Sequence, residues 1–315
     1  MVRDITSGKD PQIQAVLQVL IQLNADILVL TSLDYDHDLV ALNALADAAA
    51  GLGAAYPYRF ALRPNGGPQT GLDLDGDGRL GEPEDAQGYG RFSGQGGPAI
   101  LSRLPIDTKA VRDFSSFLWA DLPGALLPDA MPGPVKAVQR LSTNAHWEVP
   151  VTLPDDKRLT LLVWHATPPV FDGPEDRNGR RNHDEAAFWQ RLIEGALPFR
   201  PPNDPFVLIG DANLDPLDGD GLPGAITALL RHPALQDPAP AASATRTDPG
   251  QRGDPRLDTA FFDQTGGLRV DYILPSSSLR VTGAGVLWPE DTEPIAQTLA
   301  TASRHRPVWV DVARP

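Results

Sequence analysis

The stretch "PFVLIGDAN" (residues 205–213) decides how the rest of the chain is read. Phe206 to Ile209 form a short, continuous apolar run, the pattern of a strand buried on both faces, and the run stops on Asp211 and Asn213, polar groups that no core would keep without a use. The same construction recurs elsewhere. "RLTLLVWHA" (158–166) ends on His165, "LRVDYILPS" (268–276) carries Asp271, and "SRHRPV" (303–308) supplies His305 just before a last strand, "RPVWVDV". Polar groups at one end of adjacent strands of an α/β sheet converge on a single crevice. Each of these residues alone reads equally as a turn former or a cap. Together, two imidazoles, two carboxylates and a carboxamide offer oxygen ligands for a hard cation, a base for water and donors for phosphoryl oxygens, which is what metal-assisted phosphoester hydrolysis requires.

Outward from these strands the chain alternates helix and strand. "PQIQAVLQVLIQL" (11–23) spaces Ile13, Val16, Leu17, Leu20 and Leu23 as one helix face and feeds the apolar strand "ADILVL"; a second helix, "HDLVALNALADAAAGL", leads to "YPYRFAL". "GPAILSRLPI" and "HWEVPVTLP" read as further strands, and "HDEAAFWQRLIEGAL" (183–197) as the long helix between two of them. The Pro-rich segment 121–134 and the stretch 237–258 read as surface loops. There is no internal repeat and no sharp linker, so a single domain over 1–315 is expected. The chain begins straight into a helix, without the leading strand such a fold would have, so a processed form is expected.

Composition narrows the partners. A net charge of −14 and a pI near 4.7 repel polyanions at long range, so strong duplex DNA binding is not expected. The absence of cysteine rules out disulfides, thiolate metal sites and a cysteine nucleophile. No apolar run approaches the ~20 residues of a membrane helix. A chain free of the membrane and acting as a monomer is expected.

Residues 63–97 form an insertion too polar for a core and too long for an ordinary connection. Within it "DLDGDGRLGEPE" (73–84) has the order of an EF-hand calcium loop: Asp73, Asp75 and Asp77 at positions one, three and five, Gly78 for the sharp turn, the Arg79 carbonyl at seven and Glu84 closing at twelve. Gly71 before it and Pro83 near its end remove the flanking helices, so an isolated structural calcium loop is predicted rather than a paired sensor. An unordered acidic loop is the alternative. A calcium site of millimolar affinity suits an extracellular or periplasmic setting.

With these motifs in order, the sequence resembles the endonuclease/exonuclease/phosphatase superfamily, from about residue 11 to the C-terminus. The resemblance implies a four-layer α/β sandwich, two mixed sheets face to face with helices outside, and hydrolysis of phosphoester bonds in a small phosphoester or in nucleic acid with Mg²⁺ or Mn²⁺. "GDAN" is similar to the family's "GDFN", which implies Asp211 as general base or water-orienting residue and Asn213 as a phosphate or metal contact. His165 matches the phosphate-contacting His of the preceding strand, "RVDYI" matches the motif whose Asp (Asp271) holds and polarises the final His, and His305 matches that His. "GGPAILSRLPI" also looks like a family strand.

The departures from the family are as informative. Its strand "DILVLQE" ends on a metal-binding Glu where "DILVLTS" has Ser32, and its "SDH" is here "SRH", with Arg304 in place of a carboxylate. In "LDYDHD" Asp34 or Asp36 could reach back to the ion, or the run could cap the following helix. Arg140, Arg177 and Arg181, with Arg304, are candidate contacts for an anionic substrate, or else ion-pair partners on the surface. These changes leave two readings open, a metal-dependent phosphoesterase and a catalytically inactive binding module on the same scaffold.

Overall fold

The computed structural model describes residues 1–313 apart from 245 and 247. Its helices are α1 (Val2–Ser7), α2 (Pro11–Leu23), α3 (Val40–Gly51), α4 (Gly133–Lys136), α5 (Arg177–Ile193), α6 (Gly224–Leu230) and α7 (Pro294–Ala302). The strands are β1 (Ile27–Leu33), β2 (Tyr58–Phe60), β3 (Gly97–Ser102), β4 (Arg112–Asp113), β5 (Ala145–Thr152), β6 (Arg158–His165), β7 (Phe206–Asp211), β8 (Ala260–Phe262), β9 (Gly266–Leu268), β10 (Asp271–Pro275), β11 (Val281–Val286) and β12 (Val308–Val312). They form a sheet ordered β1-β3-β2, a larger sheet ordered β10-β7-β6-β5-β4, and two-stranded pairs β11-β12 and β8-β9.

Period two along the strands sorts the side chains into layers. On β6 Leu159, Leu161 and Val163 face the core between the two sheets, with Trp147, Val149 and Val151 of β5, Val207 of β7 and Phe60 and Ile100 of the smaller sheet. The alternate residues Leu162, Trp164, Phe206, Leu208, Tyr272 and Leu274 face outward, under α5 and α6. On the other side α1, α2 and α3 cover the smaller sheet through Ile5, Leu17, Leu20, Leu42 and Leu45. The result is helices, sheet, sheet, helices, the four-layer α/β sandwich expected. α7 lies against α2 through Ala15, Val19, Leu299 and Ala302.

Three sequence expectations are corrected here. The long helix starts at Arg177, six residues before His183, because its polar first turns are buried against the protein rather than solvated: Arg181, Asn182, Asp184 and Glu185 are all buried. The Pro-rich segment is not merely superficial, since Leu122 and Met131 join the outer core and the Leu126 amide donates to Asp184. The insertion 63–97 is tied into the body by a backbone bond from Asn65 to Asn144, and is closed on itself by bonds from Gly67 to Gly88 and Gly94 to Gly66. Gly67 is obligatory there, because a Cβ would stand 1.9 Å from the Phe92 carbonyl oxygen.

Candidate active site

His165, Asp211 and Asp271 are brought together by the ladder itself. β6 and β7 are parallel and pair His165 with Asp211; β7 and β10 are antiparallel and pair Asp211 with Asp271. The three residues continue the rows 161-163-165, 207-209-211 and 275-273-271, so each occupies the inter-sheet face at the open end of the sandwich. Gly210 makes this level of the ladder possible: its φ is +155°, and a Cβ would lie 2.0 Å from the Trp164 carbonyl oxygen. His305 arrives from the loop before β12, held by a bridge to Ala260, and its Nδ1 sits 2.8 Å from Asp271 Oδ2. Asp211, Asp271 and His305 each bring a ligand-type atom to within 4.8 Å of the others. His165 Nε2 is 3.5 Å from Asp211 Oδ2. Asn213, in a left-handed turn, donates its amide to Asp211 Oδ1 and its carboxamide to the Ala166 carbonyl, tying together the exits of β6 and β7.

The charges in this cluster are set by burial and by one another. Burial, with the Asp271 carboxylate beside it, pushes the Asp211 carboxyl up to about 7 against the opposing pull of His305 and Asn213. Burial alone would discharge His305, but the Asp271 charge and hydrogen bond, with Asp211 behind them, raise it to about 9, so it is an imidazolium at neutral pH. His165 goes the other way: burial and the nearby His305 charge lower it to about 4, leaving a neutral ring. The cluster thus offers one charged imidazole, one neutral imidazole and a carboxyl that takes a proton near neutrality.

Other predicted residues lie elsewhere. Ser32 is exposed at φ +60°, in an irregularity where β1 gains a residue on β3 between Leu30 and Leu33. Asp34 accepts from the Gly96 amide at 3.2 Å, and the Gly96 backbone lies beside the His165 ring, so Asp34 stands at the same end of the sandwich without joining the Asp211 cluster. Asp36 does not reach toward the site; both its oxygens accept amides of α3, Val40 and Ala41, which makes it the cap of that helix. The arginine expectation is corrected in the same way. Arg181 is buried and spends its guanidinium on the carbonyls of Leu141, Gln87, Arg140 and Ser142; Arg177 binds the Leu74 carbonyl and Gln139; Arg140 binds Asn65. Their charges stitch the insertion to α5. Arg304 alone of the four is exposed beside His305, its guanidinium 5.4 Å from the Phe262 ring centre.

The sequence did not reveal what holds the strand ends. Asn182 of α5, fully buried, donates to the carbonyls of Thr167 (2.6 Å) and Ala212 (2.7 Å), two residues past His165 and one past Asp211. Glu185, one turn on, accepts the amides of Thr143 and Thr167; burial raises its carboxyl to about 7 despite Arg181 and those amides. The signal was present in "GRRNHDE", but a polar run of this kind reads as a solvated helix face unless the contacts beneath it are known.

In the insertion, Asp73, Asp75 and Asp85 gather their carboxylates within 4.8 Å. Glu84, expected to close the loop, is exposed, and Asp85 replaces it. Pro83 starts a 3₁₀ turn over Pro83–Asp85 that turns the buried Asp85 inward, where it accepts the amides of Leu74 and Gly81. Asp77 and Arg79 are exposed; Asp77 accepts the Arg79 amide, and the Arg79 side chain reaches Glu82. The amides of Gly78 and Gly76 hold the Asp73 carboxyl below the usual range.

The chain is thus a four-layer sandwich with His, Asp and Asp aligned on adjacent strand ends and a second His clamped on the last Asp. The family model for the endonuclease/exonuclease/phosphatase family matches residues 6–305, and the chain belongs to that family. Among solved structures it is similar to an endonuclease/exonuclease/phosphatase from Beutenbergia cavernae, with 16% identity, a TM-score of 0.57, and coverage of 96% of this chain and 65% of that one. It is also similar to an endonuclease/exonuclease/phosphatase family protein from Leptotrichia buccalis, with 15% identity, a TM-score of 0.52, and coverage of 96% and 93%. The chain therefore spans just under two thirds of the first of these and most of the second. No curated protein matches it.

Proposed function

We propose that this chain hydrolyses phosphoester bonds with the help of a divalent cation, acting on a small phosphoester or short nucleic acid. The observation that carries the reading is the alignment of His165, Asp211 and Asp271 at one level of the β6-β7-β10 ladder, with His305 bonded to Asp271. In the reaction the water oxygen bonds to phosphorus while its proton passes to an Asp211 oxygen. The bond to the leaving oxygen breaks with its electron pair, and that oxygen takes a proton from bulk water. His305, held charged by Asp271, and neutral His165 contact the phosphoryl oxygens, where negative charge builds up. Asn213 keeps Asp211 in place through its amide.

The residues fit a hard cation, because burial, with the half-buried Asp271 carboxylate beside it, pushes Asp211 up to about 7, and a cation between the two would favour both charges. Asp211 and Asp271 would hold it, with Asp34, just past β1 at the same end of the sandwich, a further candidate. Mg²⁺ or Mn²⁺ bound there supplies Lewis-acid polarisation of the phosphoryl oxygen. A calcium ion is assigned to Asp73, Asp75 and Asp85, with Asp77 and the Arg79 carbonyl completing the loop. It would order the insertion and suits an extracellular or periplasmic setting.

Hydrolysis of bis(p-nitrophenyl) phosphate should vanish after exhaustive chelation and return with Mn²⁺ or Mg²⁺; turnover untouched by chelation would end the metal-dependent reading. The exposed Ser32, where the resemblance implies a metal-binding Glu, favours a second reading, the inactive binding module. Failure to turn over phosphomonoesters, phosphodiesters and single-stranded DNA with either metal would support that one instead.

A further inference from the structure

Among the described residues, the arginines around His305 have no carboxylate in contact. Arg246 lies with its guanidinium carbon 3.8 Å from the Trp288 ring centre and 5.0 Å from that of Phe261, and Arg306 approaches the same indole at 4.7 Å. Trp288 is 7% exposed and Phe261 39%, so the aromatic floor is buried beneath the guanidiniums and open at the Phe261 edge. Arg306 uses one nitrogen on the carbonyls of Ser303 and His305. Among the described residues, no carboxylate comes within 4.0 Å of the guanidinium of Arg246, Arg304 or Arg306. Asp248, Asp258 and Asp291 act on Arg246 only through space, and the Arg246 charge bears directly on Arg306. Asp291 also acts on Arg306 through space, yet two half-buried like charges facing each other with no carboxylate in contact are costly. An aromatic face offsets part of that cost by cation–π attraction but leaves the planar donor forks free.

Position ties this cluster to the candidate active site. Phe262 packs by His305, with ring centres 5.8 Å apart, while its neighbour Phe261 packs by Arg246. Successive side chains of a strand face opposite ways, so β8 stands between the two places as a thin wall. Arg304 and Arg306 flank His305 in the chain.

We infer that Arg246 and Arg306, on the Trp288 floor, form a second anion site that takes a phosphoryl group other than the one held at His305. A phosphoryl dianion fits better than a carboxylate, because it matches two forks and neutralises two charges at once. The group is either a further phosphate of the same substrate or a free phosphate. The first of these sources rests on the proposed phosphoesterase activity; the site itself does not.

The test begins with binding in EDTA, where no turnover occurs. Inorganic pyrophosphate titrated against the whole chain, followed by calorimetry and tryptophan fluorescence, should give saturable binding that Arg246→Met weakens by about tenfold. Arg280→Met, the same charge change on an exposed residue just before β11, should leave it within about twofold. If Arg246→Met does not fold, Arg306→Lys keeps the charge but loses the fork and should weaken binding in the same assay. Undetectable binding to the native chain, or equal losses in the Arg246 and Arg280 variants, would overturn the site. A second arm compares KM for thymidine dinucleotide with and without a 5′-phosphate, with Mn²⁺ present. A lower KM for the phosphorylated form that Arg246→Met abolishes identifies the substrate's own phosphate. Equal KM values beside intact pyrophosphate binding identify free phosphate. A native chain that binds pyrophosphate yet hydrolyses nothing keeps the site and removes the phosphoesterase reading.

Discussion

Among the described residues, two trios of side chains could hold a metal ion, and they are built by opposite means. Asp211 and Asp271 are placed by a strand ladder, on neighbouring strands whose register leaves no freedom, and His305 is bonded to Asp271 from the loop before β12. Asp73, Asp75 and Asp85 are placed by a loop that bonds mainly to itself, through amides of Gly76, Gly78, Leu74 and Gly81. A ladder position persists with or without a ligand, because shifting it by one residue would turn every core side chain outward. A loop position depends on local turns and on whatever neutralises its charge. The first arrangement suits chemistry that needs fixed distances, and the second suits an ion whose role is to hold a segment in place.

This contrast can be broken at the joint that makes the ladder end rigid. Asn182→Leu should be the most damaging single change outside the Asp211 cluster, since it takes the side-chain donor from the Thr167 and Ala212 carbonyls. A loss of about 2–4 kcal/mol in denaturant unfolding is expected. In whatever fraction folds, kcat should fall by about tenfold or more while KM changes little, because the strand ends lose alignment rather than a substrate contact. The loop should respond differently. Asp85→Ala should cost about 1–3 kcal/mol and abolish calcium protection of residues 73–85 against limited proteolysis. Glu84→Ala, exposed and uninvolved, should stay within about 0.5 kcal/mol and keep that protection. If Glu84→Ala were the damaging member of the pair, the twelve-residue spacing would be right and the Asp85 assignment wrong.

A smaller effect concerns His146, buried beside Trp189 with Nδ1 unpartnered. Burial holds it down to about 4, below its ordinary 6.5. The unfolded chain therefore binds the extra proton first, and stability from this residue is lost as pH falls from about 6.5 toward 4. His146→Phe should lessen the destabilisation between pH 7 and pH 5 by about 1–2 kcal/mol in parallel urea titrations. An unchanged difference would mean that the ring is protonated in the folded state.

How much of this was legible beforehand follows the same division. His165, Asp211 and Asp271 could be read because strand ends announce themselves: an apolar run with period two stops on a polar residue, and the alternation that builds the core also fixes the face of that last residue. The layered fold was legible for the same reason. Asp36 could be either ligand or cap from its spacing, and only the chain path, which points it at the first amides of α3, decides. Counting twelve positions along the loop points to Glu84. Pro83 ends it in a 3₁₀ turn, which exchanges the inward residue for its neighbour. Asn182, Glu185 and Arg181 were hidden because polar residues on a helix signal solvent, and nothing in a single sequence marks the backbone carbonyls and amides they satisfy. Arg246 and Arg306 are far apart in the chain and meet only on Trp288.

The central claim is that the ladder end, not the loop, does the chemistry, and it is tested most directly by the rate of phosphodiester cleavage in Mn²⁺ for the native chain, Asp211→Asn and Asp75→Asn, each shown to be folded by near-ultraviolet circular dichroism. The account predicts that Asp211→Asn lowers kcat by about a hundredfold or more, while Asp75→Asn with the loop's calcium supplied in excess stays within about threefold of native. Native turnover by folded Asp211→Asn, or its loss in Asp75→Asn alone, would contradict it.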